Sequence, residues 1–207
     1  MRARKKKNTP ERLLKYSHLF INKENRDEAF FENKKIKIEI GCGKGAFISQ
    51  SALLEPDVAF VGIEKVSDVI ATAAVKTDEC GAKNIRLLMA DASELCDYFS
   101  DHSIDTVYLN FSDPWPPNNR AKRRLTHRGF LEIYKRLLTE DGRLEFKTDN
   151  DKLFDFSVDE ISSNGFEITY LTRDLHSENV PNVVTEYEAR FSQEGVPIKK
   201  LVAVLKK

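Results

Sequence analysis

Along the chain the spacing of apolar residues switches repeatedly between a strand-like and a helix-like period, and the switches mark out the elements. Ile36–Ile40 reads as a first strand, Gly41–Gly45 as a glycine turn and Ala46–Leu54 as a helix. Val58–Ile63 is a second strand, followed by a helix over Val66–Cys80. Ile85–Met89 is a short third strand, with a helix at Ser93–Phe99 behind it. Ile104–Asn110 is a fourth strand, and its apolar run suits a buried centre strand. Thr126–Leu138 is helical, Gly142–Lys147 a fifth strand, and Leu153–Ser163 a helix that Asn164–Gly165 stops. Phe166–Leu171 and Lys199–Leu205 supply the sixth and seventh strands. Such alternation predicts an α/β fold, a mostly parallel sheet with helices on both faces. Residues 1–33 stand outside the alternation: Arg12–Phe20 reads as a short helix, preceded by a basic arm of Arg2, Arg4, Lys5, Lys6 and Lys7. One domain is therefore expected over residues 34–207.

Composition narrows this only at a few points. A length of 207 residues suits one α/β domain with a full core and is short for two. Lys plus Arg and Asp plus Glu number 33 each, so net charge is silent about nucleic acid and local clusters must decide. The three cysteines, Cys42, Cys80 and Cys96, form no C-x-x-C pair, which argues against a zinc site and for a reducing compartment. No apolar run approaches the roughly 18 residues of a membrane helix, and no apolar signal core follows the basic start. The expectation is a cytoplasmic protein with no membrane association.

The stretch Ile38–Ala46 ends a strand, turns on Gly41, Gly43 and Gly45, and opens a helix. Glycines there let backbone approach a ligand closely, and the pattern also reads as the dinucleotide form G-x-G-x-x-A. It is no Walker A loop, because Lys44 is followed by Gly45 rather than Ser or Thr. Glu64 closes the second strand about twenty residues on, where a carboxylate accepts from both hydroxyls of a ribose; that suits NAD and S-adenosylmethionine equally. Glu39 separates them, since an acid just before the glycines can hold the ammonium of a bound amino acid, which NAD lacks. Asp91 follows the third strand, either at the adenine edge or as a cap for the next helix.

The fourth strand leaves through Ser112-Asp113-Pro114-Trp115-Pro116-Pro117. Prolines stiffen that loop, so Asp113 can be held in place at little entropic cost, and Trp115 can stack on a base. Five of the nine residues 120–128 are Lys or Arg, including Arg120, Lys122, Arg123 and Arg124. Beside a ligand crevice such a cluster neutralises phosphates. Asp149 sits where a cap for the following helix is also expected, and Thr185–Glu188 by itself reads as an exposed β-turn with a salt bridge to Arg190.

Glu-Ile-Gly-Cys-Gly-Lys-Gly, Asp-Pro-Trp-Pro, Lys122-Arg123-Arg124, Phe146-Lys147-Thr148-Asp149-Asn150 and Thr185-Glu186-Tyr187-Glu188 occur in that order. In this the chain resembles the bacterial-type tRNA (guanine-N7-)-methyltransferase family, over about Ile38 to Phe191. The resemblance implies a Rossmann-like methyltransferase fold with seven strands, the last antiparallel. It implies S-adenosylmethionine as donor, no metal, tRNA as partner, and 7-methylguanosine in the variable loop as product. By motif position, Glu39, Gly41, Gly43, Glu64, Asp91 and Asp113 would lie on the cofactor side, with Asp113 also catalytic. Asp149, Thr185, Glu186, Tyr187 and Glu188 would contact the guanosine, and Arg120, Lys122, Arg123 and Arg124 the RNA. One departure stands out: where the family carries a substrate lysine directly after Asp-Pro-Trp-Pro, this chain has Pro117.

The chemistry agrees with the absence of a His or Cys constellation. Guanine N7 presents a lone pair and no proton, so attack on a sulfonium methyl needs alignment and exclusion of water rather than a strong base. Nearby carboxylates favour the positive charge that develops on the purine. A carboxylate such as Asp149 or Glu188 can accept from guanine N1–H and its amino group together, a donor pair adenine lacks. A nicotinamide dehydrogenase, an amino methyltransferase with Asp/Asn-Pro-Pro-Tyr at the same strand exit, and a non-catalytic RNA binder are the competing readings.

Overall fold

The structure, a computed structural model, describes residues 8–116 and 118–207, with the backbone alone at 118 and 186. The basic run Arg2–Lys7 and Pro117 lie outside the described residues. Seven strands form a mixed sheet in the order β3-β2-β1-β4-β5-β7-β6. The chain makes two compact units that divide after Asp91.

In the first unit β1 (Ile36–Ile40), β2 (Ala59–Ile63) and β3 (Ile85–Leu88) are all parallel, as crossover helices between them require. Every residue of β2 is buried, which is why the strand reads as unbroken apolar sequence. The connecting helices are α3 (Ala46–Leu54) and α4 (Ser67–Cys80). Residues 9–31 are part of this unit's packing. Thr9–Lys15 forms α1 and Glu28–Phe31 forms α2. Tyr16 and Leu19 join Ile70, Ala73, Ala74 and Leu87 in one apolar cluster. Ile21 donates to the Leu87 carbonyl at 3.0 Å, and Arg86 pairs with Asp27 at 2.7 Å under the ring of Phe30. The helix expected over Arg12–Phe20 begins earlier and breaks at Tyr16, because Pro10 favours the first turn and the next three residues tighten to a 3-10 turn.

In the second unit β4 (Ile104–Asn110) and β5 (Leu138–Thr148) run parallel, whereas β7 (Lys199–Leu205) lies antiparallel to β5 and to β6 (Phe166–Thr172). The last strand is thus antiparallel, as the resemblance implied. The helices here are α5 (Arg128–Leu137), α6 (Asp151–Ser163) and α7 (Glu186–Gln193). The helix expected from Thr126 starts two residues later, because the His127 side chain caps it by accepting from Gly129 N–H at 3.1 Å. The helix expected at Ser93–Phe99 is a 3-10 turn over Ala92–Asp97. No helix among the described residues is long and apolar enough to cross a membrane.

Candidate active site

In the first unit the candidate cofactor-side groups stand where β1, β2 and β3 end. Gly41, Gly43 and Gly45 all have positive φ, at 75°, 57° and 80°, so the turn needs residues without a Cβ penalty. A Cβ on Gly41 or Gly43 would meet nothing within 4 Å, whereas one on Gly45 would press against Ala73 at 3.1 Å. The third glycine therefore serves helix packing and the first two leave open space. Backbone N–H groups of Gly41 and Cys42 both donate to the Ile63 carbonyl, at 2.8 and 3.0 Å, and that of Gly45 donates to Cys42 at 2.9 Å. These amides are spent inside the protein and are not aimed at a pyrophosphate, as a dinucleotide loop would have them.

Acids surround this turn. Glu39 is 3% exposed at the end of β1. Glu64 is half-buried and accepts from Val66 N–H at 2.9 Å, so it also supports the start of α4. Asp91 lies 3.5 Å from Lys65. Burial pushes the Cys42 thiol well up, and the neighbouring charges of Glu39 and Glu64 push it further. Cys42 is therefore a neutral thiol at pH 7, and its two acidic neighbours make the field at the turn negative. Of the sequence candidates, the structure groups Glu39, Gly41, Gly43 and Glu64 around the turn.

In the second unit the β4 exit is held under strain. Phe111 and Trp115 adopt φ of 52° and 42°, uncommon for bulky side chains and costing about 1–3 kcal/mol each. Two aromatic residues in left-handed conformations bracket Asp113, which is exposed and has no side-chain partner among the described residues. The loop is clamped by residues from the basic run. Arg124 is only 8% exposed; its Nε donates to the Pro114 carbonyl at 2.8 Å and its guanidinium lies 4.3 Å from the centre of the Phe156 ring. Arg123 lies over Trp115 at 5.0 Å. Arg124, expected to lie exposed for RNA phosphates, is instead buried as a strut of the Asp-Pro-Trp-Pro loop. Arg120, Lys122 and Arg123 stay exposed on the 3-10 turn Asn118–Arg123. Pro117, which departs from the family lysine, lies outside the described residues.

The β5 exit decides two open questions. Asn150, not Asp149, caps α6, accepting from Leu153 N–H at 2.9 Å. The Asp149 backbone carbonyl accepts from Lys199 at 2.9 Å, while its half-buried carboxylate has no partner among the described residues. Thr185–Glu188 is not an exposed β-turn but the start of α7, closed by a capping box in which Thr185 and Glu188 bond each other's backbone. Arg190 pairs with Glu194 at 3.2 Å instead of with that segment.

Within the segment, Thr185 is buried and Glu188 is fully buried. Glu188 accepts from Lys147 at 2.8 Å and from Asn182, and His176 lies 3.2 Å from it. Tyr187 is 59% exposed, its ring stacked 6.1 Å from that of Phe111. The side chain of Glu186 lies outside the described residues. Sequence reading missed Lys147 and the Tyr187–Phe111 pair. A lysine inside a strand otherwise patterned as buried was the available signal for the first; no local pattern marks the second. Among the described residues no group of three or more His, Cys, Asp or Glu could hold a metal ion.

Comparison with known proteins agrees with this layout. The family described as "Putative methyltransferase" matches residues 33–201. A tRNA (guanine-N(7)-)-methyltransferase of Streptococcus equi subsp. zooepidemicus (strain H70) is 44% identical over 209 residues, covering 98% of this chain and 99% of that protein. The enzyme of that name from Clostridioides difficile (strain 630) is 41% identical over 206 residues, covering 96% of each. Among solved structures, the aminoglycoside resistance methyltransferase NpmB1 superposes with a TM-score of 0.63 at 20% identity, over 90% of this chain and 94% of that one. A 16S rRNA (adenine(1408)-N(1))-methyltransferase from Catenulisporales acidiphilia, solved with cosubstrate SAM, gives 0.62 at 14% identity over 90% and 92%. At those identities the structures establish the Rossmann-like methyltransferase fold alone. The sequence relatives go further, and on their similarity over nearly the whole length the chain belongs to the tRNA (guanine-N(7)-)-methyltransferase family.

Proposed function

We propose that the protein transfers the methyl group of S-adenosylmethionine to N7 of a guanine in tRNA, in the variable loop. The donor fits the first unit by chemistry. Open space lies above Gly41 and Gly43, and buried Glu39 and half-buried Glu64 favour a ligand bearing an ammonium and a ribose. Glu39 would hold the ammonium, Glu64 the ribose hydroxyls, and Asp91 the adenine edge. When bound, the donor supplies a methyl group made electrophilic by its sulfonium.

The observation that carries the choice of base is Asp149. It is free of capping duty and half-buried at a strand exit, as a carboxylate must be to accept from guanine N1–H and N2–H together. Glu188, the other acid considered for that role, is fully buried and bonded within the protein. Asp113, held exposed by the strained Phe111–Trp115 loop, stabilises the positive charge that spreads over the purine as N7 is alkylated. No residue has to remove a proton from N7. Arg120, Lys122 and Arg123 meet RNA phosphates.

Incubation with labelled donor and unmodified tRNA, followed by digestion to nucleosides, tests this. Label in 7-methylguanosine is the expected result. Label in a methylated adenosine or cytidine would replace the proposal with an amino methyltransferase, and no label with a non-catalytic binder.

A further inference from the structure

We propose that Lys147 is a positioning residue that assembles the guanosine side of the site by tying the β4 exit and the run into α7 to one point on β5. Its carbonyl accepts from Phe111 N–H at 2.9 Å, which fixes the β4 exit two residues before Asp113. Its ammonium, on a side chain only 4% exposed, donates to Asn182 Oδ1 at 3.1 Å, to the Val183 carbonyl at 2.9 Å and to Glu188 Oε2 at 2.8 Å. These bonds fasten residues 182–188, the run into α7, onto the strand. Two residues further along the chain, at the β5 exit, stands Asp149.

A buried ion pair is an expensive way to fill a core. Apolar side chains of like volume do as well or better for stability, so the pair is best explained by the geometry it imposes. That geometry is visible in the ring of Tyr187, stacked on Phe111 with an interplanar angle of 29° while most of the residue stays exposed. Phe111 is thus held by the Lys147 backbone and Tyr187 by a helix that the Lys147 side chain secures. Glu188 is the anchor of this clamp and not a reader of the base. The base is left to the Asp149 carboxylate and the Tyr187 ring, and their separation depends on Lys147. The inference rests on the reading of Asp149 as the residue that meets guanine.

The test uses the double variant K147M/E188Q, which removes both charges and leaves neither buried alone. Single-turnover and steady-state methylation of tRNA are read alongside donor affinity and the thermal unfolding midpoint. kcat is expected to fall about a hundredfold, as for a misplaced reacting group, with KM for tRNA and Kd for S-adenosylmethionine within about twofold of the parent. Amide exchange over residues 182–191 should accelerate in the same variant. A folded double variant with kcat within about twofold of the parent overturns the proposal, and so does a kcat loss matched by an equal loss of donor affinity. Should the double variant not fold, N182A decides by the same criteria, since it removes both clamp hydrogen bonds of Asn182, to Lys147 and to Glu188, without unpairing a charge; about a tenfold loss of kcat is expected. D149N separates this inference from its foundation. An active D149N refutes the guanine reading, whereas an inactive D149N beside active clamp variants refutes Lys147 alone.

Discussion

The glycine turn of the first unit and the β5–α7 corner of the second both carry candidate acids, but they are held in opposite ways. At the turn, position comes from backbone: three glycines with positive φ and amides bonded to Ile63 and Cys42. At the corner, position comes from side chains 41 residues apart in sequence, Lys147 and Glu188, meeting where both are buried. A backbone-built site tolerates change in its side chains one at a time. A site built on a buried ion pair fails as a unit, because removing either partner strands a charge and costs roughly 3–5 kcal/mol. Donor binding should therefore be separable from base positioning by mutation.

The largest expected effect lies at the strained loop. Asp113→Ala should lower kcat about a hundred- to a thousandfold in a single-turnover methylation assay, as removal of a charge-stabilising group does. Near-parental turnover would remove Asp113 from the site. Asp149→Asn should lower kcat/KM for tRNA about a hundredfold, since an amide cannot accept from two neighbouring N–H groups without turning a donor toward one of them. Equilibrium titration of the donor should be unchanged in that variant.

On the opposite side of the comparison, Gly43→Val should weaken donor binding about tenfold by filling the open space and straining a φ of 57°, while tRNA affinity stays. A drop in tRNA affinity instead would mean that the two units do not divide the work in this way. Reversing charge at Arg120, Lys122 and Arg123 should raise KM for tRNA about tenfold and flatten its salt dependence by roughly 0.7–0.9 in log–log slope for each phosphate no longer neutralised. Arg124→Ala should leave that slope alone and lower the unfolding midpoint, because Arg124 braces Pro114 and Phe156.

The smallest effect concerns acid stability. Arg128 hydrogen bonds hold the Glu160 carboxyl below its ordinary value, through Nη2 at 2.7 Å and the backbone N–H at 2.8 Å. A depressed carboxylate pKa stabilises the fold above the unfolded value near 4.5, and the contribution disappears as pH falls through the folded value. Glu160→Gln should cost about 1 kcal/mol at pH 7 and less as pH falls below the unfolded value, so the two unfolding midpoints should converge on acidification.

Much of this was legible in the chain. Buried parallel strands announced themselves as apolar runs, and the glycine turn showed because a φ above zero restricts residue type locally. Seven strands and their order of appearance followed from period alone, and the resemblance supplied the antiparallel seventh. Less visible was the fate of residues 9–31, whose short apolar runs pack only once α4 and β3 exist to receive them. Nor did composition tell Arg124 from Arg123: neighbours in a basic run look alike until one is buried against Phe156.

Asp149, Asn150 and Glu188 show where the boundary falls. Each is a polar residue beside a helix start, and local pattern permits any of them to cap, to pair or to bind. Asn150 took the cap, Glu188 took Lys147 and the capping box, and the Asp149 carboxylate was left without a partner among the described residues. Sequence by itself determined which groups were available, because residue type and local backbone preference are properties of short stretches. Tertiary structure alone decided which stayed available, because a hydrogen bond or a burial depends on what the rest of the chain brings within about 3 Å.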